Sequence, residues 1–554
     1  MKKERLKYLA EIAKIWMFPA VIYFVAFCIL TWPLIFSFHT HFFADTGDGL
    51  QNVWNIWWIN KAVTELHQNP WHTTFLHYPQ GASLLGQTLN PFNGFIGIFL
   101  LKFLTLIETH NVIVLFSFVM GGVTAFWLSF YITKSYWCSL IAGYIFTFSQ
   151  YHFAHAQGHL QLVSLEWIPL FVLCWYWLIT NPGILKAIAA GVVLFAVLLC
   201  DYYYFLYCVL SGILIMLWYA LSNRDILFFL KRKYLFVLSA FIGVCLITSG
   251  ILIGSLLLTN IKDPFVGAHD PLRYSLDLLA PFIPGGHWRF AELTKFYWSR
   301  LPGNIHESSV YIGASVALLI CYVWYKRSEC RLQYSSLYLW FGILFFFGIM
   351  ALGPVLHVGG KQIFTGIMPY TVLQTVIPPL KLSGCPARMM AMVVPSSAVI
   401  SAIGLHTLFQ RKGARHVLLA GILGFLLLVD FLPKPLPSSK LNIPEYIDLL
   451  KALPKNGGII DTVNRGSAAL YYQTVHEIPM ADGYISRYPT SVLKELQEKY
   501  SAIKSQNYFS LLKDYNIHYI VTSSIISSTD LHSTLTLLYD SRDVKLYAIE
   551  KNLP

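Results

Sequence analysis

Charged residues are scarce in this chain. Lysine, arginine, aspartate and glutamate make up only 12% of its 554 residues, whereas 56% are hydrophobic and 16% aromatic, and the mean hydropathy is +0.55. A soluble domain carries about 25% charged residues, so a soluble fold is excluded. The nine cysteines include no C-x-x-C pair and lie mostly in or at the ends of apolar segments, which argues against a zinc ribbon and a disulfide framework. The composition is that of a polytopic, mainly α-helical membrane protein.

Nucleotide-binding and hydrolase signatures are also missing. No G-x-x-x-x-G-K-[ST], G-x-G-x-x-G or G-x-S-x-G motif occurs in a suitable context, which argues against an ATPase, a dinucleotide enzyme and a serine hydrolase of the elbow type. His306-Glu307 is not followed by a second histidine at the zinc-protease spacing. The net charge of +12 could suggest nucleic acid, but the basic residues fall mostly in short loops between apolar segments. We therefore predict no nucleic-acid partner.

The predicted topology follows from the basic residues. An apolar run at about 17–38 follows a basic start, can cross a hydrocarbon core of ~30 Å and has no cleavage site, so it predicts a retained helix with a cytoplasmic N-terminus. Basic loops at 222–234, 325–336 and 410–416 should be cytoplasmic too. All three loops can be cytoplasmic only if residues 92–107 do not cross the membrane. We therefore predict an interfacial or re-entrant helix there. Eleven spans result, at about 17–38, 110–132, 137–153, 162–181, 184–201, 204–222, 234–259, 309–325, 337–356, 389–410 and 416–433.

An odd number of spans places the C-terminal region outside. We therefore predict a transmembrane domain at 1–433, with outer loops at 39–92 and 260–310, and a small extracytoplasmic α/β domain at 434–554. In that last domain, β-branched and aromatic residues predict strands at 457–463 and 518–523.

The stretch HFFADTGDGLQNVWNIWW at 41–58 places two acids beside a tryptophan-rich segment. Either Asp45 or Asp48 could act as a general base or hold a divalent cation such as Mg²⁺ or Mn²⁺. The alternative is a helix N-cap with ordinary loop solvation, because Asp-Gly before a helix is common turn chemistry. The following helix is expected to lie in the bilayer interface. Its tryptophans Trp54, Trp57 and Trp58 would contact lipid, and its amides Gln51, Asn52 and Asn55 would face water.

Further titratable residues cluster on the predicted outer face. His155 and His159 are spaced to share one face of a helix, but the local sequence lacks a third metal ligand, so hydrogen bonding is favoured over metal binding. Glu307 is either a helix-start acid or a second catalytic acid. Glu166 would be an intramembrane acid, with Arg388 as a candidate structural partner.

Four cations are candidates for binding the phosphate of a lipid-linked substrate, because guanidinium and ammonium groups match phosphate oxygens. Each could instead be a lipid-headgroup or topology charge. They are Arg273, Arg289, Lys381 and Arg388.

The predicted arrangement of spans and outer loops resembles that of the GT-C superfamily of polytopic membrane glycosyltransferases, and in particular a poorly characterised bacterial branch. The likeness lies in the acids directly after the first span, Asp45-Thr46-Gly47-Asp48, and in the segments FSQYHFAHAQGHLQLVSLEWIPL (148–170), CPARMM (385–390) and YYQTVHEIPMADGYISR (471–487). In that family an acid of the first outer loop serves as base or metal ligand, and a polyprenyl phosphate carries the sugar. The second outer loop usually supplies a further acid, whereas 151–161 offers only histidines and glutamines.

The resemblance implies an enzyme of the bacterial inner membrane that moves a sugar from a polyprenyl-phosphate donor to a cell-envelope acceptor. Asp48, helped by Asp45, would deprotonate the acceptor hydroxyl, and membrane lipids would surround the chain. A transporter or flippase for a lipid-linked glycan is one alternative, although no internal repeat is seen. A non-catalytic envelope scaffold is the other.

Overall fold

The structure of the protein is a computed structural model that describes residues 13–225, 227–330, 332, 336–410, 414–464, 466–526 and 533–551. The basic start up to residue 12 and parts of the predicted cytoplasmic loops, residues 226, 331, 333–335 and 411–413, lie outside the described residues.

The described chain is mainly helical, and the chain is a multi-pass membrane protein. Within the described residues, five helices are long and apolar enough to cross a membrane: Ala13–Leu30, Leu106–Thr133, Tyr202–Ser222, Arg232–Lys262 and Pro386–Phe409. Shorter apolar helices are Pro91–Leu100, Trp167–Thr180, Ile184–Cys200, Ala314–Tyr325, Leu337–Ala351 and Leu418–Asp430. The count of eleven spans stays a prediction. Helix Pro91–Leu100, in the segment predicted not to cross, has ten residues, which corresponds to about 15 Å of rise, half the hydrocarbon core.

Backbone contacts divide the chain into two compact units. We call residues 1–38, 111–251 and 268–437 the helical unit, and residues 39–110, 252–267 and 438–554 the mixed unit. The predicted domain boundary at residue 433 stays a prediction.

The helical unit is built around one buried helix, Met390–Phe409. It packs against Leu337–Ala351, Tyr136–Thr147 and Ala314–Tyr325. Small residues on this helix let neighbouring backbones approach closely, as is usual between membrane helices. At Gly404, for example, a Cβ atom would lie 2.8 Å from a methyl group of Val323.

The other helices of this unit range in length from 4 to 28 residues. In chain order they are Phe18–Leu30, Leu106–Thr133, Gln150–His155, Leu160–Val163, Trp167–Thr180, Ile184–Cys200, Tyr202–Ser222, Arg232–Cys245, Lys295–Trp298, Ile305–Ser308, Pro369–Val376, Leu380–Ser383 and Ala414–Asp430. Strands Leu356–Val358 and Lys361–Phe364 form a small hairpin.

The mixed unit contains a four-stranded sheet. Its strand order is Gly458–Asp461, Ile517–Thr522, Lys545–Lys551, Ser533–Asp540, with the first pair parallel and the others antiparallel. The first two strands overlap those predicted at 457–463 and 518–523. Two-residue strands pair His72–Thr73 with Ala82–Ser83, and Phe265–Val266 with Tyr488–Pro489. The helices are Asp48–Asn60, Pro91–Leu100, Ile251–Lys262, Glu445–Ala452, Ser467–His476, Thr490–Lys504 and Tyr508–Tyr515.

The tryptophan-rich helix Asp48–Asn60 is a core element of the mixed unit. Trp54 and Trp58 are fully buried and stack with ring centroids 5.8 Å apart, and the amides of Gln51, Asn52 and Asn55 are also buried. The expectation of an interfacial helix with tryptophans in lipid and amides in water is therefore wrong. An amphipathic pattern shows that one face is covered, but it does not distinguish lipid from protein.

One glutamine secures this helix. Gln473, on helix Ser467–His476, accepts a hydrogen bond from Trp54 Nε1 at 2.7 Å. It also donates through Nε2 to the carbonyls of Phe75 at 2.5 Å and Ile478 at 3.1 Å. Gln473 is completely buried, so water cannot replace these bonds. It links the helix that begins at Asp48 to two other segments of the unit.

We expect Gln473→Leu to destabilise the mixed unit, because each buried polar group left without a partner costs about 1–3 kcal/mol. Tryptophan fluorescence during denaturant unfolding in detergent measures the loss. Gln497→Leu, at an exposed position of the same unit, is the matched control and should stay close to wild type. Equal stability of the two variants would contradict the structural role of Gln473.

Candidate active site

A buried ion pair lies within the helical unit. Arg388, in the turn Pro386–Met389, donates from Nε at 2.9 Å and from Nη2 at 2.5 Å, both to Oε1 of Glu307. Glu307 lies in the short helix Ile305–Ser308, where the side chain of Asn304 caps its backbone N–H at 2.8 Å. The side chains of Glu307 and Arg388 are 4% and 5% exposed. The guanidinium therefore meets an internal carboxylate and not bulk solvent.

Glu166 is not the partner of Arg388, and that expectation is corrected. Its Oε2 accepts a hydrogen bond from Ser117 Oγ at 2.6 Å. Ser117 comes from helix Leu106–Thr133, and Glu166 precedes helix Trp167–Thr180. The acid therefore joins two helices.

Two histidines adjoin the ion pair. His155 ends helix Gln150–His155, and its Nδ1 lies 3.1 Å from Nδ1 of His159. On the other side of the ring, Nε2 of His155 lies 4.0 Å from Oε2 of Glu307. One ligand atom each from His155, His159 and Glu307 all lie within 4.8 Å of one another. The hydrogen bond favoured for the histidine pair is present, and Glu307, which is distant in sequence, adds a third side chain of a metal-ligating type.

Two tyrosines and an acid lie near the Glu307–Arg388 pair. Tyr151 and Tyr204 place their hydroxyl oxygens 2.9 Å apart. Tyr204 O–H also lies 3.0 Å from the carbonyl of Leu162, and Tyr151 O–H lies 3.3 Å from the carbonyl of Arg388. Asp201 caps helix Tyr202–Ser222 and accepts from the backbone N–H of Tyr204 at 3.0 Å. The segments of Tyr151 and Asp201 were recognisable as polar, but none of these three residues was predicted as a site residue.

Electrostatics keep Glu307 and Arg388 ionised at neutral pH. Burial alone would raise the pKa of Glu307, but the charge and hydrogen bonds of the Arg388 guanidinium hold that pKa well below its usual value. Burial lowers the pKa of His155 well below its usual value. A charged Glu307–Arg388 pair therefore lies beside a neutral imidazole.

The predicted acids Asp45 and Asp48 belong to the mixed unit. Asp45 Oδ1 accepts from the backbone N–H of Gly47 at 2.8 Å, which forms the predicted kind of turn. Asp48 is the first residue of its helix and is half-buried, so its charge also complements the helix dipole. Burial, and then the charge of Asp48, raise the pKa of Tyr484 to about 12, while Arg487 opposes the shift.

Arg487 lies in the same electrostatic surroundings as Asp48 and was not among the residues predicted from the sequence. It is 9% exposed and acts electrostatically on Tyr484, as Asp48 does. Both Tyr484 and Arg487 belong to the segment YYQTVHEIPMADGYISR, which carried part of the family resemblance. That segment was the available signal.

The other three predicted phosphate ligands differ from Arg388. Arg273, Arg289 and Lys381 are all exposed. Their assignment as phosphate-binding residues stays a prediction, as do the roles of Asp45, Asp48, His155, His159, Glu307 and Arg388 in binding and catalysis.

Comparison with solved structures confirms the resemblance to the GT-C glycosyltransferases at the level of the fold. The arabinofuranosyltransferase AftD from Mycobacteria is similar over 96% of this chain and 41% of its own, with 11% identity and a TM-score of 0.55. This chain thus spans less than half of AftD. The oligosaccharyltransferase of Archaeoglobus fulgidus in its apo form matches 92% of this chain and 69% of its own, with 12% identity and a TM-score of 0.45.

A third similar structure is ArnT from Cupriavidus metallidurans bound to undecaprenyl phosphate. It matches 95% of this chain and 97% of its own, with 11% identity and a TM-score of 0.42. A search of curated proteins finds no match. The family model for DUF6311, a domain of unknown function, matches residues 20–431, and the chain belongs to that family.

Proposed function

We propose that the protein is a glycosyltransferase that moves a sugar from a polyprenyl-phosphate donor to a cell-envelope acceptor on the outer face of the bacterial inner membrane. The observation that carries this proposal is the buried Glu307–Arg388 pair with its two histidines, inside a fold of the GT-C type. Ionised groups inside a membrane protein are expensive and usually serve binding or catalysis. The orientation that follows has the N-terminus cytoplasmic and the C-terminal region outside.

Arg388 is the strongest candidate among the four cations for the donor phosphate. Its two hydrogen bonds to Glu307 hold the guanidinium plane in one orientation. A guanidinium fixed in a water-poor site stabilises the charge that develops on a leaving phosphate more strongly than a mobile surface cation. Glu307 acts in this account as the residue that orients Arg388.

Asp48 is the proposed general base. It removes the proton from the acceptor hydroxyl, whose oxygen then bonds to the anomeric carbon of the donor sugar. The bond between that carbon and the phosphate oxygen breaks, and polyprenyl phosphate leaves with the electron pair. Asp45 shapes the turn before the helix, and a Mg²⁺ or Mn²⁺ ion held by the two carboxylates remains part of the proposal.

Sealed vesicles distinguish this proposal from transport. Purified protein is reconstituted with a polyprenyl-phosphate sugar labelled in the sugar, and an envelope extract is supplied as acceptor. We expect label to move into the acceptor fraction in vesicles and equally in detergent, where no compartment exists. Label that crosses sealed membranes while still attached to its lipid, with no transfer in detergent, would favour the transporter.

A further inference from the structure

Two buried atoms of the helical unit face each other without a hydrogen-bond partner among the described residues. They are Nε2 of His155 and Oε2 of Glu307, and they lie 4.0 Å apart. His155 is fully buried, and Glu307 is 4% exposed. Buried polar atoms almost always have a partner, and a bound ion or water is the usual explanation when the protein supplies none.

We propose that His155, His159 and Glu307 bind a divalent metal ion of the zinc class. Zinc sites have ligand bonds of about 2.0–2.2 Å, which places neighbouring tetrahedral ligands about 3.3–3.5 Å apart. The 4.0 Å between His155 Nε2 and Glu307 Oε2 exceeds that separation by about 0.6 Å. All three ligand atoms lie within 4.8 Å of one another, so metal binding draws the side chains of His155, His159 and Glu307 closer together, by about 1.4 Å for a pair at that limit.

The donor atoms decide which metal fits. Two imidazole nitrogens and one carboxylate oxygen make the ligand set of a zinc site with an open fourth position. Magnesium and manganese prefer sites made of oxygen atoms. The proposed ion therefore differs in kind and in location from the Mg²⁺ or Mn²⁺ predicted at Asp45 and Asp48.

Arg388 leaves this site available. Both of its hydrogen bonds go to Oε1 of Glu307, so Oε2 remains for the metal. A ligand carboxylate that is itself hydrogen-bonded is the usual arrangement around protein metal sites. The competing account treats the ion pair and the His155–His159 contact as structural only. It leaves His155 Nε2 and Glu307 Oε2 without partners.

Metal binding can be measured without any sugar transfer. Full-length protein without a polyhistidine tag is purified in detergent, stripped with a chelator and titrated with Zn²⁺ and with Co²⁺ as a spectroscopic substitute. We expect one ion bound per chain, and visible Co²⁺ absorption of the intensity that four-coordinate sites give. Mg²⁺ at the same concentration should not compete.

Loss of a residue that hydrogen-bonds a metal ligand typically weakens metal binding by about 10–100-fold. Loss of a ligand itself should weaken binding more. We expect His159→Ala to lower zinc affinity by more than about 100-fold. His357→Ala removes another buried histidine of the same unit and should keep the wild-type affinity. Thermal unfolding of the metal-free proteins shows that each variant is folded.

A second readout needs no variant. Zinc should raise the unfolding temperature of the wild-type protein, because the ion binds only the folded site. Wild-type protein that binds no more zinc than His159→Ala, or that binds Mg²⁺ in preference, would overturn the proposal. Since these measurements do not depend on sugar transfer, the failure of this site and the failure of the proposed function are distinguishable.

Discussion

Asp48→Asn is expected to lower the rate of sugar transfer by about 10²–10⁴-fold, the usual contribution of a general base. Asparagine matches aspartate in size but cannot take the proton of the acceptor hydroxyl. The helix that begins at this residue is held by its buried tryptophans and by Gln473, so the variant should fold normally. The initial rate of transfer by purified protein at equal concentration measures the effect.

Two further variants make this test specific. Asp448→Asn introduces the same change at an exposed position of the mixed unit and should leave the rate unchanged. Asp45→Asn should reduce the rate less than Asp48→Asn, because the amide oxygen of asparagine can still accept the hydrogen bond from Gly47. Full activity of Asp48→Asn would remove Asp48 as the base.

Arg388→Met is expected to destabilise the protein by about 3–5 kcal/mol, because it leaves the carboxylate of Glu307 buried without its partner. Unfolding in detergent at neutral pH measures the loss. Arg289→Met removes an exposed arginine and should change stability by less than about 0.5 kcal/mol. Similar losses in the two variants would show that the buried pair contributes no more than a surface charge.

The pH dependence of Arg388→Met provides an internal check. Burial raises the pKa of Glu307, and in the wild type Arg388 more than offsets this effect. Without the guanidinium, the pKa of Glu307 in the folded state should exceed its pKa in the unfolded state. The stability of the variant is then retained below the unfolded-state pKa and lost as the pH rises through the folded-state pKa. The variant should therefore approach wild-type stability in mild acid. A deficit that does not shrink on acidification would mean that Glu307 is not its cause.

The protein class and the fold could be predicted from the sequence because they depend on features that extend over much of the chain. Apolar content identified a membrane protein, and acids directly after the first span pointed to the GT-C fold. The breaks in the helices were harder to see. The span predicted at 137–153 is interrupted after Thr147, and a new helix begins at Gln150, although the apolar run is nearly continuous.

The site shows a second limit. Glu307, Arg388, His155 and His159 were each recognisable as functional residue types, but their grouping was not. Glu307 and Arg388 are 81 residues apart, and no spacing rule connects positions so distant. The fully buried Gln473 shows the same limit in the mixed unit, because its partner Trp54 lies 419 residues away.

The most direct measurement is the mass balance of the reaction with purified wild-type protein. Lipid-linked sugars are incubated with an envelope extract, and mass spectrometry follows free polyprenyl phosphate and glycosylated acceptor together. We expect one polyprenyl phosphate to appear for each sugar transferred, and we expect Asp48→Asn and Arg388→Met to suppress both products in parallel. A donor that remains intact across the panel of lipid-linked sugars would contradict the proposed transfer reaction.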